Sequence, residues 1–231
     1  MKRYKYLFFD LDRTLWDFEK NSHEELTLIY HRCQLHQKGI SLKDEFIRIY
    51  KQINEQCWEL YRNNEITKEK LRSERFNKTL LYFGIKDDEL SEQIGDQYIK
   101  NSPKRTILID GAKDLLDYLQ GKYQMHIITN GFEEVQFDKL KNSGLLTFFD
   151  KVITSEAAGF KKPNTVIFEY ALNKTNANLA ESVMIGDDLN TDILGGINFG
   201  IDCIYYNPHL VKHDLSLLAD VQDLKSIKSI L

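Results

Sequence analysis

The chain has 231 residues, of which 42% are hydrophobic and 29% are charged, and its formal net charge is -4. This length suits one large domain, with or without a smaller insertion, and the composition argues against a disordered chain. The weak acidity gives no electrostatic basis for binding a nucleic-acid polymer. Because no run of eighteen apolar residues occurs, we expect no membrane span.

The N-terminal segment and the cysteines predict a cytoplasmic protein. The apolar run after the first basic residues ends at Asp10, and no cleavage site follows it. Cys33, Cys57 and Cys203 are far apart and form no C-x-x-C motif, so we expect reduced packing residues. We expect a monomer or homodimer, with neither nucleic acid nor a membrane as a partner.

The first predicted element is a short strand at residues 4–9, which runs directly into Asp10 and Asp12. Side chains two positions apart on a strand point the same way, so these carboxylates should lie close together. Two close carboxylates resist joint ionisation unless a cation or a shared proton is present. The stretch alone is compatible with a simple turn and with a metal site containing a nucleophile.

Residues from about 17 to 100 show a helical pattern, with apolar residues at helical spacing and no proline. Breaks in the pattern fall at residues 38–41, 62–67 and 83–88. We therefore predict an all-helical block of about four helices, each with one apolar face.

Beyond Pro103, helices and strands alternate. Strands are predicted at residues 124–131, 150–155, 181–188 and, as the last strand, 201–207; helices are predicted at 112–120, 164–175 and 191–200 and in the segment EEVQFDKLKNSGL. This alternation predicts a parallel sheet with right-handed crossovers. The fold class is therefore α/β, with a helical insertion after the first strand.

Four polar clusters follow predicted strands. They are residues 10–14 (DLDRT), 129–131 (TNG), 161–163 (KKP) and 186–188 (GDD). In parallel sheets, ligands bind at the carboxyl ends of the strands, where helix N-termini also converge. We therefore expect the four clusters to meet at one edge and to form a single site.

The chemistry of these residues suggests phosphoryl transfer. Asp10 can attack phosphorus and form an aspartyl-phosphate. Asp10 and Asp187 can supply the oxygen ligands that Mg²⁺ prefers. Asp12 is placed to protonate the leaving oxygen and later to deprotonate water.

The phosphate itself needs donors and positive charge. Thr129 offers a hydroxyl group and Gly131 a backbone N–H, both of which suit phosphate oxygens. Lys162, next to Pro163, offers the local positive charge that the acidic composition requires.

With these residues, the sequence resembles the haloacid dehalogenase (HAD) superfamily, on its phosphatase side. The superfamily pattern D-x-D-x-T matches Asp10, Asp12 and Thr14, the strand-closing threonine matches Thr129, the lysine before proline matches Lys162, and G-D-x(3–4)-D matches Gly186, Asp187 and Asp192. The motifs occur in the order of the superfamily and span most of the chain.

The resemblance implies a Rossmann-like catalytic core formed by residues 1–16 and 104–231. It implies that residues 17–103 form a mobile helical cap, whose closure excludes water and selects a small phosphorylated metabolite. It also implies a covalent aspartyl intermediate and Mg²⁺ held by Asp10, Asp187 and the backbone carbonyl of Asp12.

Several site residues have auxiliary roles in this interpretation. Thr129, Lys162 and the amides of Asn130 and Gly131 are expected to hold the phosphate. Asp188 and Asp192 are expected to be outer carboxylates that orient Lys162 or a metal-bound water.

Three residues near the first motif are less constrained. Strand alternation predicts that Arg13 points away from the two acids, with little effect on the chemistry. Trp16 and Phe18 can stack a flat substrate group such as a nucleobase, or they can pack the hinge.

The first motif, the long helical cap and GDDLNTDILGG are similar to the superfamily branch that contains pyrimidine 5′-nucleotidases. That resemblance implies a nucleoside 5′-monophosphate as substrate. The alternatives are a sugar-phosphate phosphatase or phosphomutase and, from another class, a catalytically silent binding or regulatory protein on the same fold. Dehalogenases of the superfamily lack the second acid, so Asp12 disfavours that activity.

Overall fold

The structure is a computed structural model that describes residues 4–231. The strands in these residues are Tyr6–Phe9 (β1), Gln124–Thr129 (β2), Lys151–Thr154 (β3), Ser182–Gly186 (β4), Asp202–Tyr206 (β5) and Ala219–Val221 (β6). The α-helices are Phe18–Arg32 (α1), Lys43–Arg62 (α2), Lys68–Tyr82 (α3), Asp88–Asn101 (α4), Ala112–Leu119 (α5), Glu133–Asn142 (α6), Ser155–Ala158 (α7), Thr165–Thr175 (α8) and Leu194–Phe199 (α9).

Short helical turns supplement these elements. The 3₁₀ segments are Leu35–Lys38, Ser102–Lys104, Leu146–Phe148, Leu179–Glu181 and Leu224–Ser229, and a π-helical turn covers Leu189–Ile193 directly before α9. No helix within residues 4–231 combines the length and apolarity that a membrane crossing needs.

The strands form one parallel sheet in the order β3-β2-β1-β4-β5-β6. The predicted α/β fold with a parallel sheet is therefore confirmed. The prediction that residues 201–207 form the last strand was wrong, because β6 follows them in the chain and adds a further strand at the edge of the sheet. β6 has only three residues, too few to show the alternation that identifies a strand in sequence.

β1 lies inside the sheet, with β2 on one side and β4 on the other. Phe9, its last residue, is level with Ile127 of β2 and with Ile185 of β4. The chain order reverses on the two sides of β1, so the end of β1 is the topological switch point, where open α/β sheets bind their ligands.

Both faces of the sheet are apolar. Leu7 and Phe9 of β1 are buried in one cluster with Ile127 and Ile185, and Phe8 is buried in a second cluster. Successive side chains of a strand point to opposite faces, so the two clusters lie on either side of the sheet. Burial on both faces is typical of parallel sheets and holds the strand ends in fixed register.

The chain divides into two compact units. The described residues up to Phe18 and Thr106–Leu231 form the α/β unit, and Glu19–Arg105 form the helical unit. The helical unit has its own core, which includes Leu26, Phe46 and Phe76.

The helices of the helical unit begin where capping residues occur. Thr67 accepts a hydrogen bond from the backbone of Lys70 at the start of α3, and Asp87 accepts one from Leu90 at the start of α4. Such side chains satisfy backbone donors that have no partner in the first turn of a helix.

Candidate active site

Three carboxylates converge at the ends of β1 and β4. Asp10 directly follows β1, and its backbone N–H donates to the carbonyl of Ile185 at 2.9 Å. Asp187 directly follows β4, and its Oδ1 accepts a hydrogen bond of 2.8 Å from Thr14 Oγ1. One oxygen from each of Asp10, Asp187 and Asp192 lies within 4.8 Å of the others.

A buried lysine joins two of these acids. The Nζ atom of Lys162 lies 2.6 Å from Asp10 Oδ1 and 2.6 Å from Asp192 Oδ1, and it donates to the carbonyl of Ile128 at 2.7 Å. The side chain is only 2% exposed. Three bonds use all three donors of an ammonium group, so the position of this charge is fixed.

Burial, together with the neighbouring charges, shifts the pKa values of the acids. Burial, with help from Asp192, raises the pKa of Asp10 to about 7, although Lys162 opposes the shift. Burial and the neighbouring acids also raise the pKa of Asp187 well above its usual range, and burial raises that of Asp192. Burial alone lowers the pKa of Lys162, but Asp10 and Asp192 outweigh it and raise the pKa overall.

This cluster of carboxylates fits a divalent cation. Asp10 and Asp192 share one ammonium group and Asp187 adds a third carboxylate, which leaves an excess of negative charge on oxygen donors. Hard oxygen ligands of this kind suit Mg²⁺, and a bound cation would favour the ionised form of each acid.

The turn after β4 places Asp192 against the sheet. A Cβ atom on Gly186 would lie 2.2 Å from Asp192 Oδ2, so only glycine leaves room for this carboxylate. Asp192 Oδ2 also accepts a hydrogen bond of 3.2 Å from the backbone of Asp188. The Asp188 side chain instead accepts from the backbones of Asn190 and Thr191, so it caps the turn and does not contact Lys162.

The TNG segment after β2 supports Lys162. The Asn130 side chain donates to the Lys162 carbonyl at 2.9 Å and accepts from the Lys162 backbone N–H at 2.8 Å. The backbone N–H of Gly131 donates to Thr129 Oγ1 at 3.0 Å. The Gly131 N–H, which was expected to bind phosphate, therefore has Thr129 Oγ1 as its acceptor in this structure.

Asp12 contacts two residues of α6 that the sequence analysis missed. Lys139 Nζ lies 2.6 and 2.8 Å from the two carboxylate oxygens of Asp12, and Gln136 Nε2 donates to Asp12 Oδ2 at 3.1 Å. Burial lowers the pKa of Lys139, although Asp12 opposes the shift. The available signal was spacing, because Gln136 and Lys139 share the buried face of α6 with Leu140.

The backbone at Arg13 differs from the extended strand that the sequence analysis assumed. Arg13 has a φ of 65°, so the strand alternation used to predict its direction ends before it. Its guanidinium lies 4.5 Å from the centre of the Phe18 ring, and its charge opposes the burial that raises the pKa of Asp187. Arg13 therefore acts electrostatically on the site.

Trp16 takes the packing role of the two alternatives. Its side chain is 1% exposed and belongs to a core cluster of the α/β unit. Lys139 Nζ lies 4.4 Å from the centre of the Trp16 ring, so the ammonium group covers one face of that ring. A residue this enclosed has no face available for a nucleobase.

The family of the chain is decided by a match to a family model. The model described as haloacid dehalogenase-like hydrolase matches residues 4–200, a span that contains every acid of the site and Lys162. The chain belongs to the haloacid dehalogenase-like hydrolases. It is thus a hydrolase, and the resemblance read from its four motifs is confirmed.

Curated relatives of this HAD-like hydrolase cover nearly its whole length. The HAD-hydrolase YfnB of Bacillus subtilis is 34% identical over 91% of this chain and 87% of its own. Pyrimidine 5′-nucleotidase PynA of Streptococcus pneumoniae is 33% identical over 89% of this chain and 85% of its own. Pyrimidine 5′-nucleotidase YjjG of Escherichia coli is 31% identical over 90% of this chain and 88% of its own.

A solved structure of one relative has the same fold. The crystal structure of YfnB from Bacillus subtilis, bound to magnesium, superposes with a TM-score of 0.89 at 30% identity, covering 99% of each chain. The metal in that structure agrees with the kind of cation that the acids of this chain fit.

Proposed function

We propose that this hydrolase is a Mg²⁺-dependent phosphatase of small phosphate monoesters, and that its substrate is a nucleoside 5′-monophosphate. The observation that carries the proposal is the meeting of Asp10, Asp187 and Asp192, two of which bind the ammonium group of Lys162. A nucleophilic carboxylate, an acidic cation site and a fixed positive charge are the parts that phosphoryl transfer to a carboxylate requires.

In the first step, a carboxylate oxygen of Asp10 bonds to phosphorus as the bond between phosphorus and the ester oxygen breaks. Asp12 gives its proton to the leaving oxygen, and the alcohol departs. Asp10, Asp187 and the backbone carbonyl of Asp12 would hold Mg²⁺, which would neutralise charge at the phosphoryl oxygens.

In the second step, a water oxygen bonds to phosphorus and the bond to Asp10 breaks. Asp12, now ionised, takes the proton of the water, which returns both acids to their starting forms. Thr129 holds the phosphoryl oxygens through both steps. The charge of Lys162, which Asp192 keeps in place, stabilises the negative charge on them.

The choice of a nucleotide substrate is supported by relatives of nearly full length. Both PynA and YjjG carry the name pyrimidine 5′-nucleotidase, and each aligns with about nine-tenths of this chain. We therefore propose a pyrimidine nucleoside 5′-monophosphate, such as UMP or dUMP, as the preferred ester.

The test is phosphate release from a panel of nucleoside 5′-monophosphates, sugar phosphates and phosphoglycolate, with Mg²⁺ and then with EDTA. We expect release that needs Mg²⁺ and is fastest with UMP or dUMP. Faster release from sugar phosphates would keep the mechanism and reject the nucleotide substrate. Release that persists in EDTA would reject the role of the metal.

Absence of release from every ester would overturn the phosphatase. Two assays then separate the alternatives. Transfer of phosphate back to a sugar phosphate, dependent on a bisphosphate, would indicate a mutase, and binding of a phosphate mimic without turnover would indicate a binding protein.

A further inference from the structure

We infer that Gln136 and Lys139 form a positioning device on α6, which holds the Asp12 carboxylate and directs the Thr129 hydroxyl toward phosphate. The two residues lie three positions apart and therefore share one face of the helix. Each is at most 5% exposed. The inference rests on the proposed function, since it assigns roles to the acid–base residue and to the phosphate-binding residue of that reaction.

Lys139 contacts both carboxylate oxygens of Asp12. The Nζ atom lies 2.6 Å from Oδ1 and 2.8 Å from Oδ2, so rotation of the carboxyl group would break one of two charged contacts. The ring of Trp16, centred 4.4 Å from the same Nζ atom, limits where the ammonium group can move. The buried pair therefore has one arrangement, which holds the Asp12 carboxyl group in place.

Gln136 determines how Thr129 can bond. Its Nε2 atom donates to Thr129 Oγ1 at 2.6 Å, and the backbone of Gly131 donates to the same oxygen at 3.0 Å. A hydroxyl oxygen accepts at two lone pairs and donates one proton. With both lone pairs used by N–H groups, the Thr129 proton is left to donate, which is what a phosphate oxygen requires.

Gly131 makes this approach of Gln136 possible. A Cβ atom on Gly131 would lie 2.4 Å from Cδ of Gln136, a distance that the buried amide cannot accommodate. The glycine of the TNG segment is thus needed for close packing against α6, in addition to any role of its backbone.

Gln136 and Lys139 affect the first step by holding the Asp12 carboxyl group in one orientation. A fixed acid transfers its proton to the leaving oxygen more readily than one that must first be oriented. An ester whose leaving group departs without a proton gains little from this help. The size of the effect should therefore depend on the leaving group.

The test compares kcat/KM for UMP and for p-nitrophenyl phosphate in the wild-type protein and in Lys139→Met. The ratio kcat/KM reports the steps up to formation of the aspartyl-phosphate. We expect a loss of roughly 10- to 100-fold with UMP, a part of what general acid catalysis supplies, and a loss below about 3-fold with p-nitrophenyl phosphate. Lys141→Met, at an exposed position of α6, should change neither ratio.

An equal loss with both esters would overturn the positioning of Asp12, because damage to the fold lowers all rates alike. A wild-type protein that hydrolyses neither ester would instead overturn the proposed function, and this inference with it. The two failures are therefore distinguishable in one experiment.

Gln136→Met provides a second measurement if Lys139→Met does not fold. Loss of the Nε2 donor should leave the Thr129 hydroxyl free to turn away from phosphate. We expect the inhibition constant of inorganic phosphate against p-nitrophenyl phosphate to rise by about 10-fold, the value of one hydrogen bond to a charged group. An unchanged inhibition constant would overturn the role of Gln136.

Discussion

Two groups of buried charges, one in each unit of the molecule, are balanced differently. In the α/β unit, Asp10 and Asp192 share the ammonium group of Lys162, and Asp187 lies in the same cluster. In the helical unit, one carboxylate, Glu25, meets two guanidinium groups.

The contacts of Glu25 are those of a structural ion pair. Its Oε1 lies 3.3 Å from Arg32 Nη1, and its Oε2 accepts hydrogen bonds of 3.1 and 2.9 Å from Nε and Nη2 of Arg105. The carboxylate is fully buried, whereas both arginines retain some exposure to water. Each oxygen of the buried carboxylate therefore has a guanidinium partner within the protein.

The difference indicates what each cluster is for. A buried charge that serves stability has its partners within the protein, because an unpaired charge costs several kcal/mol. A buried cluster of like charges with raised pKa values is typical of a functional site. The acids at the ends of β1 and β4 form such a cluster.

Replacing the nucleophile should have the largest effect. We expect Asp10→Asn to lower kcat by at least about 10⁴-fold, because the amide cannot form the covalent intermediate. Phosphate release from UMP in the presence of Mg²⁺ measures the change. Asp138→Asn, an exposed acid of α6, is the matched control and should keep full activity; activity that survives in Asp10→Asn would contradict the mechanism.

The same substitution should stabilise the protein when metal is removed. The pKa of Asp10 rises from 3.8 to about 7 on folding, so between these values the folded state holds a proton that the unfolded state has released. Stability therefore falls as pH rises from about 4 to about 7, by an amount on the order of a few kcal/mol. Asn cannot ionise and escapes this loss.

The measurement is the melting temperature Tm of the wild-type protein and of Asp10→Asn in EDTA across this pH range. We expect the advantage of the variant to grow up to about pH 7 and to disappear when Mg²⁺ is added. A constant difference in Tm at all pH values would show that the imbalance of charge does not act on folding.

Breaking the Glu25 cluster should have the smallest effect of the three predicted here. It should lower the stability of the protein, whereas Asp10→Asn should raise it. Glu25→Gln removes the charge that pairs with Arg32 and Arg105, and we expect a loss of about 1–3 kcal/mol, moderated by the exposure of the arginines. Thermal unfolding should show the lower Tm, with the exposed Glu24→Gln as control. A rise in Tm would remove the contrast between the clusters.

Not all of the site could be predicted from the sequence. Lys162 was found from its place before a proline. Asp10, Thr129 and Asp187 were found because each ends or directly follows a strand, and register brings the strand ends together. Asp12 was found in the same way, but its partners on α6 were not. Their positions depend on how that helix packs against the turn after β1.

Arg13 shows the limit of a local rule. Alternation along a strand predicts the direction of a side chain only while the backbone stays extended. At Arg13 the backbone turns into the left-handed region, and the guanidinium lies over Phe18. The residue type gave no sign of this, because few residues other than glycine adopt that conformation without help from their surroundings.

The sequence by itself determined the fold class, the family and the acids at the sheet edge, because hydrophobic period and motif order are local properties of the chain. Only the tertiary structure decided which donors each acid meets, that Asp192 rather than Asp188 holds Lys162, and that Gln136 and Lys139 hold Asp12. Hydrogen bonds act over about 3 Å, and groups as far apart in sequence as Asp12 and Lys139 reach that distance only through the packing of helices on the sheet.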